Sequence, residues 1–306
     1  MIARFAMTPE TLAEARASSK VALELGIGCL NDLCRAEGVF ADMRNGYWSR
    51  ATEAIGPLAK RFLTFARKNR RLILTPPQLD IDPEHDEGWM WEALRLHETF
   101  PCRAIITHLE QAKTYTDAPV VSIERLNQAD WWEARSPSRN VSRTTAGYRQ
   151  ALDLISRHAN SLMFIDAYID PLASNYREFP QLLLAAGANG RRPLIEIHRA
   201  SWRRVNGQNQ VQGTGQWIAD FGQWSNLLAG AGLNATVFLW ERMHDRYLIT
   251  DLVGINVPYG FDISADANET STWIRLGSNE RDQHQRDFHP ASGVHRHVGS
   301  FEIGTS

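Results

Sequence analysis

The chain has 306 residues, 43% of them hydrophobic, and a formal net charge of -2 at pH 7. That length allows one large or two modest domains, and the near-balanced charge excludes the overall basic excess that marks many nucleic-acid binders. No run of about 18 apolar residues could cross a membrane, the start MIARFAMTPETLAEARASSK has no secretory apolar segment, and Cys29, Cys34 and Cys102 form no CxxC pair, so a soluble cytoplasmic protein with structural cysteines is expected.

Thr8-Pro9-Glu10-Thr11 offers an N-cap with proline at the first helical position, and apolar residues then recur at three- and four-residue steps, which predicts helices from about Thr8 to Lys68. Within this stretch Lys60, Arg61, Arg67, Lys68, Arg70 and Arg71 carry no acid between them. They are read as a candidate nucleic-acid face, against the plainer reading of a solvated helix surface. Arg71 to Thr75 and Arg103 to Thr107 are strand candidates, with a helix over Trp89 to Leu96. This first part, residues 1–117, is expected to be a mostly helical α+β region, open to protein partners. Residues Asp117 to Arg149 are rich in Ser, Arg, Asn and Thr and read as an ordered linker or domain entry. Arg135, Arg139 and Arg143 recur in it at four-residue spacing, and Arg139 and Arg143 join the candidate basic set.

From Ala146 onward the pattern becomes regular. Helices over 148–158, 176–186 and 215–231 alternate with strands over 162–170, 193–197 and 235–240, and further strands follow at 247–250, 254–259 and 272–276. The alternation predicts an α/β domain over 118–306, a sheet flanked by helices in which the last strands pair directly.

The chemistry concentrates in Met243-His-Asp-Arg-Tyr-Leu-Ile-Thr-Asp251. Residues i and i+2 of a strand share a face, so His244 and Arg246 are expected to project into one site. Asp251 sits at the strand's far end, where it could brace a loop or pair with a partner's histidine. Asp166, Tyr168 and Asp170 alternate along an earlier strand, and either line this site as substrate-binding groups or cap the strand's end.

The segment resembles the phospholipase D superfamily signature, His-x-Lys, four residues, Asp, then a Gly-Ser-x-Asn-like turn. His244, Arg246 in place of lysine, and Asp251 match. Gly260-Phe261-Asp262 stands where the turn belongs, with Ser264 beside it, and Glu269 stands where such nucleases carry a late acid. The resemblance covers the C-terminal half and implies a phospholipase D-like mixed sheet. It also implies metal-independent phosphodiester cleavage in which one histidine attacks phosphorus and another protonates the leaving oxygen. Arg246 would hold the nonbridging oxygens. His244 is the single such motif in the chain, so the second histidine would come from a second copy, as in single-motif nucleases built across a twofold axis. The implied catalytic set is His244, Arg246, Asp251, Asp262 and Glu269, with Gly260 and Ser264 near the substrate.

A nuclease acting on nucleic acid as a homodimer is expected, without cofactor or membrane contact; nucleases of such divergent branches often serve bacterial defence or mobile-element systems. Arg for Lys and Asp262 for Asn leave open a noncatalytic phosphate-binding module that scaffolds partner proteins. His284, His289, His295 and His297 cluster near the end, but no cysteine or paired acid at ligand spacing accompanies them, and no metal is expected there. Trp202, Trp217, Trp224 and Trp240 are expected in the core or a dimer interface.

Overall fold

The computed structural model describes residues 1–116 and 118–304. Two compact units divide at Arg135/Ser136. Residues 118–135 therefore fold with the first unit instead of opening the second; Asp117, the expected boundary, lies outside the described residues.

The first unit contains strands β1 (Ala3–Met7), β2 (Gly38–Asp42), β3 (Leu72–Leu74), β4 (Ala104–Thr107) and β5 (Val120–Ser122). All pair in parallel, in the order β3-β2-β1-β4-β5. Helices α1 (Lys20–Ala36), α2 (Met43–Ile55), α3 (Pro57–Lys68), α4 (Asp86–Thr99), α5 (Leu109–Ala112) and α6 (Asp130–Glu133) connect and follow them. Every residue of β1, β2 and β4 is buried. Strands buried on both faces read as short apolar runs, which periodicity cannot separate from a buried helix. For that reason Gly38–Asp42 is a strand inside the stretch expected to be helical. Thr8 opens only a 3-10 turn, Pro9–Leu12, and its hydroxyl meets Thr11 and Thr107 instead of capping a helix. Helix α1 starts at the true cap, Ser19, whose hydroxyl accepts from Ala22 N at 3.1 Å.

The second unit is built on an eight-stranded mixed sheet flanked by helices, as expected of an α/β domain. Its strands are β6 (Ser138–Ser142), β7 (Ser161–Asp166), β8 (Leu194–Ala200), the hairpin β9 (Trp202–Val205) and β10 (Gln208–Val211), β11 (Ala235–Trp240), β12 (Arg246–Thr250), β13 (Gly254–Asn256), β14 (Thr270–Arg275) and β15 (His297–Ile303). The hairpin stands apart, and the order is β15-β11-β8-β7-β12-β13-β14-β6. Helices α7 (Thr145–His158), α8 (Pro180–Ala186), α9 (Thr214–Asp220), α10 (Gly222–Gly230) and α11 (Ser278–Asp287) complete it. Strands β7, β8 and β11 are mutually parallel, and β12, β13 and β14 pair antiparallel, as their short connections require. Four strands of this unit were not expected from the sequence, the hairpin strands β9 and β10 and the two edges of the large sheet, β6 and β15. Strand β6, within the expected linker, has three exposed residues in sequence, and β15 alternates half-buried with exposed positions. Edge strands carry polar residues that weaken their apolar signal. No helix among the described residues is long and apolar enough to cross a membrane.

Strand β8 carries His198 into the core at 1% exposure, stacked on Phe238 with ring centroids 4.6 Å apart. The Trp240 indole donates to His198 Nδ1 at 3.1 Å, and Nε2 faces Glu196 Oε2 at 3.3 Å, so the ring is neutral with its proton on Nε2. Burial pushes its pKa below the ordinary value, and His295 and His297 nearby add to the shift while Glu196 opposes it. The unfolded histidine takes a proton near pH 6.5 (about). The stability due to His198 is therefore complete above that pH and is lost as pH falls toward its lowered folded value. Thermal melts from about pH 7.5 to about 5.5 should show this loss. His198→Phe should remove that part of the slope while melting lower at the upper pH, since the Trp240 N–H loses its acceptor; an unchanged slope would assign the effect to other groups.

Candidate functional site

Strands β7, β8 and β11 end on the side of the sheet where antiparallel β12 begins, with Arg246 paired in register to Asp166. The carboxyl ends of parallel strands and the approach to β12 thus bring segments 166–170, 199–204 and 244–246 to one end. This is the end at which open α/β sheets hold ligands. His244 lies just before β12, not inside it, and is exposed. Its proximity to Arg246 follows from a chain of aromatic contacts, not from strand alternation. Its ring lies 6.0 Å from that of Trp202, Trp202 lies 5.3 Å from Tyr168, and the Arg246 guanidinium sits over Tyr168 at 4.7 Å.

Asp166, 0% exposed, is the hub of this end. Its carboxylate accepts from Tyr168 N at 3.0 Å, Tyr176 hydroxyl at 2.7 Å and Phe261 N at 3.1 Å, and Arg246 Nε stands 3.7 Å away. Burial raises its pKa, and the three donors and Arg246 draw it back down. Arg246 is further held by a 2.6 Å hydrogen bond from Nη1 to Pro258 O. Gly260 has φ of 70°, and a Cβ there would stand 2.0 Å from Asp166 Oδ2. Its glycine character serves this close approach to a buried carboxylate. Substrate contact is not needed to explain it.

The remaining expected residues divide. Asp170 lines the same end but is committed to a bidentate pair with Arg203 at 2.5 and 3.0 Å, and Arg203 also holds Asp220 at 2.6 Å. Asp262 receives both contacts of Arg143 Nη2, at 2.8 and 2.9 Å, so its charge is met within the unit. Glu269 takes the other Arg143 nitrogen, Nη1. Arg143, expected on a basic face, is therefore spent inside its own unit, stacked over Tyr259 at 4.6 Å. Ser264 turns its hydroxyl to Asp266 N at 3.0 Å. Asp251 does not join the site. It lies five residues along β12, roughly 16 Å from Arg246 at strand rise. There it accepts from Asn160 N and Nδ2 at 2.9 and 3.0 Å and braces the entry to β7. Lys60, Arg61, Lys68, Arg70 and Arg139 are exposed, whereas Arg71 is buried beside β3. Of the tail histidines, His284 stacks on Tyr247 at 4.0 Å, His295 on Phe288 at 4.4 Å, and His297 meets Trp240 at 5.3 Å.

Sequence reading missed Arg199, Arg203 and Arg204. A cavity of about 180 Å³ opens among Tyr168, Asp170, Tyr176, Trp202, Arg203 and Arg204. Behind it Arg199, 1% exposed, donates to Ala200 O and Trp202 O at 2.7 Å each and to Ile169 O, with its guanidinium 3.3 Å above the Trp217 ring. Burial lowers its pKa to about 9, since no carboxylate bonds it directly. The signal was the run His198-Arg-Ala-Ser-Trp-Arg-Arg204, whose cations continue a buried strand.

No protein-family model matches the chain, and none of the curated proteins matches it significantly. Among solved structures it is similar to the phospholipase D family member Nuc from Salmonella typhimurium, at 14% identity and a TM-score of 0.34 over 53% of this chain and 97% of Nuc. NucT from Helicobacter pylori is 13% identical over 49% of this chain and 92% of that one, with a TM-score of 0.27. TrmBL2, an archaeal chromatin protein described as showing a novel mode of DNA binding, is 12% identical over 82% and 87%, with a TM-score of 0.28.

Gly260→Ala should destabilise the second unit by about 2–4 kcal/mol, the sum of a left-handed backbone cost and forced displacement of Asp166. Urea unfolding measures it; a loss under about 0.5 kcal/mol, the size of an ordinary surface effect, would mean that Asp166 does not close on the 260 turn.

Proposed function

We propose that the second unit is a phosphodiesterase, a nuclease that works without metal as a homodimer through paired His244 side chains. The observation that carries this reading is the placement of an exposed His244 at the same sheet end as Arg246 and the arginine-bordered cavity. An imidazole open to solvent can attack phosphorus, and a second copy can approach it. In this reading His244 of one chain is the nucleophile and its mate protonates the leaving oxygen. Arg246 takes a nonbridging oxygen, while Arg204 at the cavity rim draws in the anionic strand. Asp166, Arg199 and Arg203 hold the frame. Asp251 is assigned a bracing role and Asp262 a pairing role, so neither enters the reaction. The exposed Lys60, Arg61, Lys68, Arg70 and Arg139 are proposed as further nucleic-acid contacts.

A second reading follows from the commitment of Arg246 to Pro258 O and Asp166. A guanidinium so held can grip a phosphate without driving its cleavage, which would make the unit a noncatalytic phosphate-binding module.

The decisive experiment is a nuclease assay with DNA and RNA in excess EDTA, wild type against His244→Ala, with the oligomeric state measured alongside. Cleavage in EDTA that His244→Ala abolishes, by a dimer with the two rings within about 5–8 Å, supports the reading. Activity should also fall on both the acid and the alkaline side, because one imidazole of the pair must be neutral and the other protonated. A monomer, cleavage that needs Mg²⁺ or Mn²⁺, or full activity in His244→Ala would sink it. Binding without cleavage selects the second reading.

Arg246→Ala tests the ligand edge in either case. Loss of one charge-assisted contact should weaken phosphodiester binding by about 1.5–3 kcal/mol, roughly ten- to a hundredfold in Kd. Filter binding at fixed salt reads this, and wild-type affinity in the variant removes Arg246 from the binding site.

A further inference from the structure

In the first unit the chain turns to opposite directions on the two sides of the β1/β4 boundary, since the order β3-β2-β1-β4-β5 runs outward from it both ways. Such a switch point leaves a crevice at the carboxyl ends of the strands, and ligands of doubly wound sheets bind there. Three side chains able to hold a metal meet at this end. Glu10 lies on the turn that follows β1, His108 directly follows β4, and Asp86 opens α4. One ligand atom from each lies within 4.8 Å of the others.

Asp86 supplies an independent indication. It is 8% exposed, and burial raises its pKa; neither carboxylate oxygen has a hydrogen bond of full geometry, and the donors beside it are the Thr8 hydroxyl and His108 Nε2, 3.1 Å from Oδ2. Another buried acid of the unit, Glu92, is treated differently. Glu92 takes the N–H groups of Gln78 and Leu79 at 2.7 and 3.1 Å and Arg44 at 3.1 Å. A buried carboxylate held by two loosely placed donors, with a second carboxylate beside it, is unfavourable unless a cation compensates it. The Thr8 hydroxyl, shared with Thr11 and Thr107 at 3.1 Å each, borders the same spot.

We propose that Glu10, Asp86 and His108 form a binding site for a first-row divalent cation, with water completing the coordination. Two carboxylates and one imidazole, without thiolate, suit Mn²⁺ or Zn²⁺ better than the all-oxygen preference of Mg²⁺ or Ca²⁺. Arg16 Nε holds Glu10 Oε2 at 2.6 Å and so orients it, and the carboxylate ligates through its other oxygen. His108 Nδ1 accepts a long contact from Gln111 N at 3.4 Å. Metal on Nε2 moves the ring proton to Nδ1, where it donates outward, and the Gln111 contact opens. Nothing in the site draws on His244, which belongs to the other unit.

The full chain, stripped with EDTA and exchanged into metal-free buffer, is titrated with MnCl₂ and with ZnCl₂ by calorimetry, with melting temperature followed in parallel. The expected result is saturable binding of one ion per chain for at least one of the two metals, with an upward melting shift. Asp86→Asn and His108→Ala should each weaken binding by about tenfold or more. Glu10→Gln, on a half-buried turn, provides a third variant that removes a ligand charge even if Asp86→Asn fails to fold. The His295→Ala/His297→Ala double variant should bind as wild type does. Absence of saturable binding for both ions overturns the proposal, as does binding that Glu10→Gln and His108→Ala leave within about twofold of wild type, or binding that the double variant loses.

Discussion

Asp166 has no exposed surface, so its carboxylate must be satisfied from within, and the groups that do so come from separate segments. Tyr168 N belongs to the turn after β7, Tyr176 to the approach to α8, Phe261 N to the loop after β13, and Arg246 to the start of β12. A buried carboxylate of this kind ties its donors together, because removal of any one leaves part of a charge unsatisfied. The sheet end is therefore rigid where Arg246 is held. His244, outside the hydrogen-bonded strand, keeps its ring in solvent. The proposed phosphate chemistry rests on that division between a fixed cation and an accessible imidazole, one group to position the anion and one to move protons or attack.

Around this hub most charges are paired within the unit. Arg143 bridges Asp262 and Glu269, Arg203 bridges Asp170 and Asp220, and Arg199 spends its donors on backbone carbonyls and its face on Trp217. The pairing removes the objection that an aspartate at position 262 would repel an anion, since Arg143 meets it with two contacts. The groups of this end left for the proposed chemistry are chiefly His244, Arg246 and Arg204. Conserving charge inside the frame leaves a small number of cations to face a ligand, in keeping with a chain of net charge -2.

The first unit follows a different rule. Its parallel sheet buries β1, β2 and β4 completely, and Glu10, Asp86 and His108 meet at the carboxyl ends of the strands. Glu92 is answered by two backbone N–H groups and Arg44, whereas Asp86 has the Thr8 hydroxyl and His108 Nε2 beside it and a second carboxylate, Glu10, nearby. That contrast between Glu92 and Asp86 is the ground on which the proposed cation site rests.

The sequence by itself determined the α/β class of the second unit and most of its strands, and singled out His244 and Arg246 as candidates, because these rest on local patterns: alternation, helix spacing and a two-residue step. It also placed Gly260 correctly at a turn, although the reason, a carboxylate 2.0 Å from a would-be Cβ, is tertiary. Only the folded chain decided that Gly38–Asp42 is a strand, since a five-residue apolar run has no period of its own. It also decided that polar edge segments β6 and β15 complete the large sheet, because their partners Trp273 and Val237 lie far away in sequence. The fates of Asp251 and Arg143, and the meeting of Glu10, Asp86 and His108, were settled in the same way. Which charge ends beside which is fixed by strand order and register, and no local window of sequence contains either.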